Sequence, residues 1–277
     1  MVAAAPPYVE VDGRAVSPGV WGRLALLSHG HFTVMQVRGG GSRGLMLHLQ
    51  RLDTAHRDLY GEPLDGDLVR ARIRQALASF FHVTGAAYAS RAPTSPLADA
   101  VPVDATVRVI ATDPAGDGPG VLVVVVGPPT DAPPTPRRLM SVLYTRPFPR
   151  IKHLGTFGQL EHARAALRRG FDEALLTTSD GTITEGARTN IGFVAGDTVT
   201  WPDAPCLTGV TMALLEQGAG SMRAPVRLAD LSRYDAAVMT NSRGLSPVAA
   251  IDDHHFAGSD FTGELARRYH AIPHDSI

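Results

Sequence analysis

The sequence predicts an α+β protein built from two domains. Helical and strand patterns are mixed along the chain without the strict strand–helix alternation of a doubly wound sheet. A second observation is a proline-rich segment, residues 127–136, which contains five prolines and divides the chain into halves of similar length. Because proline fixes φ and has no N–H to donate, we predict an extended linker at 128–136 between domains 1–127 and 137–277.

Composition limits the class of protein. The chain has 277 residues, 44% of them hydrophobic, and a net charge of −1 without a basic stripe, so neither disorder nor a nucleic-acid partner is indicated. The longest aliphatic run, 121–126, is too short to cross a bilayer, and the N-terminus lacks a signal-peptide pattern. The single cysteine, Cys206, fits a reducing compartment, so we expect a cytoplasmic protein. The histidines have no ligand spacing, so no metal site is predicted.

In the first half, residues 33–38 alternate as a strand does. The glycine-rich residues 39–44 are followed by no Lys-Ser/Thr and open no predicted helix. We therefore predict a hairpin to a partner strand at 45–48 rather than a phosphate loop. Apolar residues at helical spacing predict helices at 49–60 and 68–82. The other strands predicted in this half are 8–11, 106–111 and 121–126.

The second half begins with a predicted helix at 158–169, and Gly170 follows it where a left-handed cap is expected. Asp180 and Gly181 are the residue pair of a type I′ hairpin turn. A shorter helix is predicted at 211–217. The strands predicted in this half are 173–178, 182–185, 190–194, 198–201 and 236–240.

The basic residues are almost all arginine, and Lys152 is the one lysine. An amine can lose its proton, attack a carbonyl and form a Schiff base, whereas a guanidinium stays protonated. Chance survival in an arginine-rich composition explains the count equally well. The count alone therefore leaves a catalytic role for Lys152 open.

Short motifs surround Lys152 in a fixed order. They are R-P-F-P-R-I-K-H at 146–153, G-x-D-E-A-L at 170–175, E-G-x-x-x-N at 185–190 and L-T-G-V-T at 207–211, with H-L-Q-R-L at 48–52. This set resembles the class IV aminotransferases, the fold type IV family of pyridoxal phosphate (PLP) enzymes. The resemblance extends from about Tyr8 to Val248, and the 33-residue interval from Lys152 to Glu185 matches the family pattern. It implies a small α/β N-terminal domain and a larger mixed α/β, PLP-binding C-terminal domain.

The resemblance also implies site residues. Lys152 would be the Schiff-base lysine and the proton carrier, and Glu185 the carboxylate that faces the cofactor's ring nitrogen. Read alone, Glu185 fits better as a solvated turn residue, and its position beside Lys152 and Asn190 in the motif favours the cofactor role. The implied cofactor-phosphate residues are Arg51, Val210, Thr211, Thr240 and Asn241. Val210 and Thr211 open a predicted helix, whose free N–H groups suit an anion.

Two departures from the family pattern concern the residues near the reacting atoms of the cofactor and the substrate. Phe157 stands where many members have a tyrosine that hydrogen-bonds the cofactor. Residues 112–114, Thr-Asp-Pro, replace the Thr-Arg-Gly that several amino acid aminotransferases carry, so another residue must take the substrate carboxylate, or the substrate lacks it. The candidate substrate residues are Phe32, Arg146 and Arg188, with Arg43 as a further spare arginine.

The leading prediction is a PLP-dependent aminotransferase that moves an amino group between an amino acid or amine and a 2-keto acid. The alternative is an aminodeoxychorismate lyase, which eliminates pyruvate at the same cofactor site and gives 4-aminobenzoate. A catalytically silent PLP-binding relative is less favoured, because the reacting residues are all present. The resemblance further implies a homodimer with its active site between the two domains. Donor, acceptor and stereochemical preference stay open at this point.

Overall fold

A computed structural model describes residues 7–17, 20, 28–84, 104–112 and 121–277. Its contacts divide the chain into two compact units. The first unit comprises Met1–Thr130, Lys152–Gly155 and Pro273–Ile277, and the second comprises Asp131–Ile151 and Thr156–Ile272. The chain first passes from one unit to the other inside the predicted linker. The domain limits drawn from the sequence stay a prediction.

Helices and strands are mixed in the described residues. The strands are β1 (Tyr8–Val11), β2 (Arg14–Ala15), β3 (His31–Arg38), β4 (Gly41–Ser42), β5 (Ala105–Ala111), β6 (Leu122–Gly127), β7 (Arg137–Leu143), β8 (Glu173–Thr177), β9 (Ile183–Gly186), β10 (Asn190–Ala195), β11 (Thr198–Pro202), β12 (Ser221–Ala224), β13 (Ala236–Asn241), β14 (Gly244–Ile251), β15 (His254–His255) and β16 (Asp275–Ser276). The helices are α1 (Leu45–Tyr60), α2 (Gly66–Thr84), α3 (Phe157–Arg168), α4 (Val210–Glu216) and α5 (Asp260–Ala271), and a 3-10 helix covers Leu228–Arg233. None of the described helices is long and apolar enough to cross a membrane.

The first unit is an antiparallel sheet covered by α1 and α2. The strand order among the described residues is β16-β4-β3-β5-β6-β1-β2. One face of the sheet carries Met35 and Val37 of β3, which join the buried core formed with α1 and α2. Because strand side chains alternate between faces, Phe32 and Gln36 lie on the other face of β3. That second face carries Phe32, one of the candidate substrate residues.

The predicted strand at 45–48 is wrong, because α1 already begins at Leu45. Gly44 has φ 66, a left-handed conformation that ends the extended chain and that glycine adopts at little cost. Leu45, Leu49 and Leu52 are then buried at helical spacing against the sheet. The hairpin itself is confirmed, but its partner strand is the two-residue β4, which pairs antiparallel with β3.

The second unit contains the larger sheet, with the described strands in the order β12-β11-β10-β13-β14-β7-β8-β9 and β15 paired to β14. Strands β7 and β8 are parallel, so the chain must cross over between them, and it does so through residues 144–172, which include α3. Helix α3 packs on β7 and β8, whereas α4 and α5 share a core with β10, β11 and β13. The crossover also contains Lys152, although that residue belongs to the first unit.

The elements predicted in the second half are confirmed, although β7, β14 and α5 were not predicted. The predicted helices and strands all occur within two residues of the expected limits. Gly170 has φ 81, as expected for the residue that ends α3. The antiparallel pairing of β8 with β9 is also confirmed. The type I′ turn is wrong, because Gly181 has positive φ but Asp180 does not.

Candidate active site

Lys152 lies in a short segment that is hydrogen-bonded to the beginning of β3. The Phe32 N–H donates to the Lys152 carbonyl at 2.8 Å, and the Leu154 N–H donates to the Gly30 carbonyl at 2.9 Å. These two backbone bonds fix the chain from the Lys152 carbonyl to Leu154 against the beginning of β3. The Lys152 Nζ lies 4.9 Å from the centroid of the Phe32 ring, within cation–π distance. The one lysine of the chain is therefore held at a defined position beside an aromatic residue.

Helix α1 brings His48 and Arg51 to Thr33 of β3. The Thr33 Oγ1 and His48 Nδ1 lie 2.7 Å apart, and Arg51 Nη2 donates to the same hydroxyl. Burial lowers the pKa of His48 well below its usual value, and the charges of Arg51 and Lys152 lower it further. His48 is therefore neutral at physiological pH, and the cation at this point of α1 is Arg51. The H-x-x-R spacing places both residues on one helix face.

In the second unit, Glu185 of β9 forms a buried ion pair with Arg146. The distance from Arg146 Nη1 to Glu185 Oε1 is 3.7 Å, and each side chain is 5% exposed. Arg146 Nη2 also donates to the Ile151 carbonyl at 2.6 Å. Burial lowers the pKa of Arg146, while the charge of Glu185 acts in the opposite direction. This burial excludes the reading of Glu185 as a solvated turn residue.

Asn190 of β10 fixes the segment before α4. Its Nδ2 donates to the Leu207 carbonyl at 2.6 Å, and its Oδ1 accepts the Gly209 N–H at 3.1 Å. The Leu207 N–H points at Glu185 Oε2 from 3.4 Å. The E-G-x-x-x-N motif therefore has a structural reason, because its glutamate and its asparagine meet the same loop.

Gly209 is expected to be intolerant of any side chain. A Cβ at this position would collide with Asn190 Oδ1, whose amide is buried and hydrogen-bonded at both ends. We expect Gly209→Ala to destabilise the protein by about 1–3 kcal/mol, as overpacking does, and to lower cofactor affinity. Denaturant titration and cofactor titration measure the two effects. Gly263→Ala in α5 is the matched control, because a Cβ there meets only Arg267 Nη1 at 3.6 Å. Equal behaviour of the two variants would contradict the role given to Asn190.

Four of the five residues expected at the cofactor phosphate belong to the second unit and lie at or near the start of α4, while Arg51 belongs to the first unit. Val210 and Thr211 form the first turn of α4, and Thr211 Oγ1 donates to the Asn241 carbonyl at 2.6 Å. The neighbouring Thr240 is 1% exposed, and its Oγ1 has no hydrogen-bond partner among the described residues. A buried hydroxyl without a partner is costly, and a phosphate oxygen would satisfy it. Together with the free N–H groups of a helix start, this hydroxyl fits a phosphate group.

Both arginines expected at the substrate have acidic partners in the second unit. Arg146 is paired with Glu185, and Arg188 Nη2 lies 3.4 Å from Glu173 Oε2. Burial raises the pKa of Glu173, and Arg188 opposes that shift. Their assignment to the substrate stays a prediction. Phe157 begins α3 and is 81% exposed.

Of residues 112–114, where the sequence departs from Thr-Arg-Gly, the structure describes only Thr112.

Cys206 is buried beside Glu185, and burial, followed by that charge, raises the pKa of its thiol to about 11. The thiol is therefore protonated at neutral pH, as a packing residue would be.

A histidine cluster in the first unit was not predicted. His31 Nε2 and His56 Nδ1 are 3.1 Å apart, and the ring of Tyr60 lies against that of His56 at a centroid distance of 4.8 Å. His31 also forms a β-bridge with His153, the residue after Lys152. No group of three potential metal ligands occurs within the described ranges. Packing of α1 on β3 brings His56 and Tyr60 to His31, and the register with the Lys152 segment adds His153, so sequence spacing gives no signal for this cluster.

The cluster predicts an acid-sensitive first unit. Burial, followed by the nearby His56 and His29, lowers the pKa of His31 from 6.5 to about 4. Between these values the unfolded chain binds a proton that the folded chain does not, so the free energy of unfolding falls as pH drops from 6.5 to 4. The loss is at most about 3 kcal/mol. We expect His31→Gln to reduce the difference between the denaturation midpoints at pH 7 and pH 4.5. The same substitution at the exposed His82 of α2 should leave that difference unchanged. An unchanged difference in His31→Gln would contradict this assignment.

The predicted site residues thus form one group in each unit. Lys152, Arg51 and Phe32 belong to the first unit. The second unit holds Glu185, Val210, Thr211, Thr240, Asn241, Arg146 and Arg188. Within each group the structure brings side chains together that are far apart in sequence.

Comparison with known proteins agrees with this picture. Residues 30–251 match the family described as amino-transferase class IV, and the chain belongs to that family. The family uses pyridoxal phosphate, which confirms the predicted cofactor at the level of the family. Membership therefore indicates a PLP-dependent enzyme. The comparison with curated proteins gives no significant match.

Several solved structures share the fold. A fold IV transaminase from Curtobacterium pusillum is 22% identical, with 89% of this chain and 87% of that one covered and a TM-score of 0.74. A hypothetical aminotransferase from Mycobacterium tuberculosis in its PLP-bound form is 20% identical, with coverages of 96% and 98% and a TM-score of 0.76. A putative 4-amino-4-deoxychorismate lyase from Legionella pneumophila is 19% identical, with coverages of 91% and 93% and a TM-score of 0.73. At these identities the likeness concerns the fold, and it confirms the predicted fold type IV architecture.

Proposed function

We propose that this protein is a PLP-dependent aminotransferase that moves an amino group between an amino acid or amine and a 2-keto acid. The observation that carries the proposal is the setting of Lys152. It is the one lysine of the chain, it lies inside the family match, and backbone hydrogen bonds of Phe32 and Leu154 fix its position. An enzyme of this family needs one amine at a fixed place, and this chain has no second lysine to supply it.

In this proposal each candidate site residue has a role that its position supports. Lys152 would hold the cofactor through Nζ and would carry a proton on the same atom during transfer. Arg51 would supply positive charge to the cofactor phosphate, and the N–H groups of Val210 and Thr211 with the Thr240 hydroxyl would donate hydrogen bonds to it. Asn241 would contribute its amide. Bound pyridoxal phosphate supplies an electron sink for the carbanion that forms when the substrate loses its proton.

Glu185 would keep a proton on the ring nitrogen of the cofactor. Its ion pair with Arg146 supports this role, because a nearby cation favours the charged form of a carboxylate. An ionised, fixed carboxylate is what a protonated ring nitrogen needs as its partner. Arg146 therefore acts through Glu185 as a positioning residue.

The test is the absorption spectrum of the holoenzyme with a panel of amino donors, including both enantiomers of each chiral amine. Conversion of the cofactor to its amino form, and its return on adding a 2-keto acid, would support amino transfer. Pyruvate release from aminodeoxychorismate without any keto acid would instead identify the lyase. A spectrum that no donor changes would favour the silent relative and contradict the proposal.

We also propose a cytoplasmic homodimer, as the sequence resemblance implies. Support comes from α3, where Phe157, Leu160 and Leu167 are 81, 43 and 53% exposed in the single chain. Large apolar side chains along one helix are typical of surfaces that a partner covers. Analytical ultracentrifugation should give twice the chain mass, and Leu160→Arg should shift the protein toward the monomer. A wild-type monomer at all concentrations would contradict the dimer.

A further inference from the structure

Arg108 of β5 lies against the ring of Phe32. Its guanidinium carbon lies 5.0 Å from the centroid of the Phe32 ring, and Lys152 Nζ lies 4.9 Å from the same centroid. The register explains this contact, because Arg108 pairs with Val34, two residues along β3 from Phe32 and on the same face. All three residues belong to the first unit. Two cations therefore share one aromatic ring.

The charge of Arg108 has no acidic partner among the described residues. Burial lowers the pKa of its guanidinium, and no carboxylate acts to raise it again. Arg146 differs, because Glu185 opposes the effect of burial there. Arg188 differs as well, because it is paired with Glu173. Of these three arginines, Arg108 is the one whose charge the described protein leaves uncompensated.

Such a pair of cations favours an anion. Lys152 and Arg108 repel each other when both are charged, and the face of Phe32 attracts each of them only weakly. A carboxylate near Arg108 would gain a charge-assisted, bidentate hydrogen bond to the planar guanidinium. Arg108 is exposed, so a ligand can reach its guanidinium.

We propose that Arg108, seated on Phe32, binds a carboxylate group of the substrate next to Lys152. This inference rests on the proposed function for the identity of the ligand as an amino or keto acid. It supplies the carboxylate recognition that is missing at residues 112–114. It makes Arg108 a substrate-binding residue and Phe32 a positioning residue for it.

A binding experiment tests the site without any reaction. Calorimetric titration of the holoenzyme with succinate, an unreactive dicarboxylate, should give a Kd that Arg108→Gln weakens about tenfold to a hundredfold, the factor for one charge-assisted hydrogen bond. Arg108→Lys should keep part of the affinity, because it retains the charge but loses the planar fork. Phe32→Leu should weaken succinate binding less than Arg108→Gln. Uncharged succinamide is the control ligand, and it should bind wild type and Arg108→Gln alike. Arg57→Gln, at an exposed arginine of α1, is the control variant and should leave the succinate Kd unchanged.

A kinetic experiment then ties the site to substrate. Half-reaction rate constants are measured for an amino acid and for the amine that lacks its carboxylate. Arg108→Gln should lower the first about tenfold to a hundredfold, as the loss of one charge-assisted hydrogen bond predicts, and leave the second unchanged. Equal losses for both donors, equal succinate affinity of wild type and Arg108→Gln, or no succinate binding by wild type would overturn the inference. If no donor reacts with wild type, the proposed function fails, and the succinate titration still decides the role of Arg108.

Discussion

Replacing Lys152 with alanine should lower the rate of amino transfer by about 10⁴-fold or more, since the protein would lose both its amine and its proton carrier. Lys152→Arg is the informative second variant. It keeps a cation that can lie over Phe32 but cannot lose its proton, so its activity should be as low as that of Lys152→Ala. Stopped-flow half-reactions measure the loss, and thermal denaturation of both variants shows that they remain folded.

The single lysine also makes the covalent assignment easy to check. Borohydride reduction of the holoenzyme should leave the cofactor mass on the peptide that contains Lys152, because the only other primary amine is the N-terminus. Arginine-specific digestion and mass spectrometry locate the adduct. A cofactor adduct found only at the N-terminus, or a yellow and active Lys152→Ala protein, would refute the assignment.

The fold was predictable wherever local pattern and tertiary packing agree. Alternation over 33–38 and helical spacing over 158–169 gave the right elements, because β3 and α3 each bury one face. Residues 45–48 were also predicted as a strand, yet they belong to α1. The helix forms because Gly44 adopts a left-handed conformation and Leu45 packs under the sheet. A short window of sequence shows neither the conformation of Gly44 nor the burial of Leu45.

The same distinction applies to the site. The resemblance of the ordered motifs to the class IV aminotransferases gave the predicted roles of Lys152, Glu185 and Thr211. The contact of Arg108 with Phe32 follows from the pairing of β5 with β3, and the contact of Arg146 with Glu185 joins a loop to a strand. Strand register and the course of the loops depend on the packing of the whole sheet, so no short sequence motif predicts these contacts.

Glu185→Gln should destabilise the second unit strongly, by about 3–5 kcal/mol, because it leaves Arg146 buried without its counter-charge. Arg146→Met should have a similar effect, since it leaves the Glu185 carboxylate buried without its cation. The double variant Arg146→Met/Glu185→Gln removes both charges and should cost much less than the sum of the single changes. Urea denaturation of the cofactor-free proteins measures all three, so that cofactor binding does not contribute to the differences.

An exposed ion pair provides the control. Arg168 and Glu161 on α3 lie closer together, at 2.7 Å, than Arg146 and Glu185, but their side chains are 63% and 46% exposed. Solvent screens such a pair, so Arg168→Gln should leave the urea midpoint unchanged. If Glu185→Gln were as harmless as Arg168→Gln, burial would not be what makes the Arg146–Glu185 pair important. If instead the single variants are unstable and the double variant is stable but inactive, the pair serves catalysis, since the fold does not need it once both charges are gone.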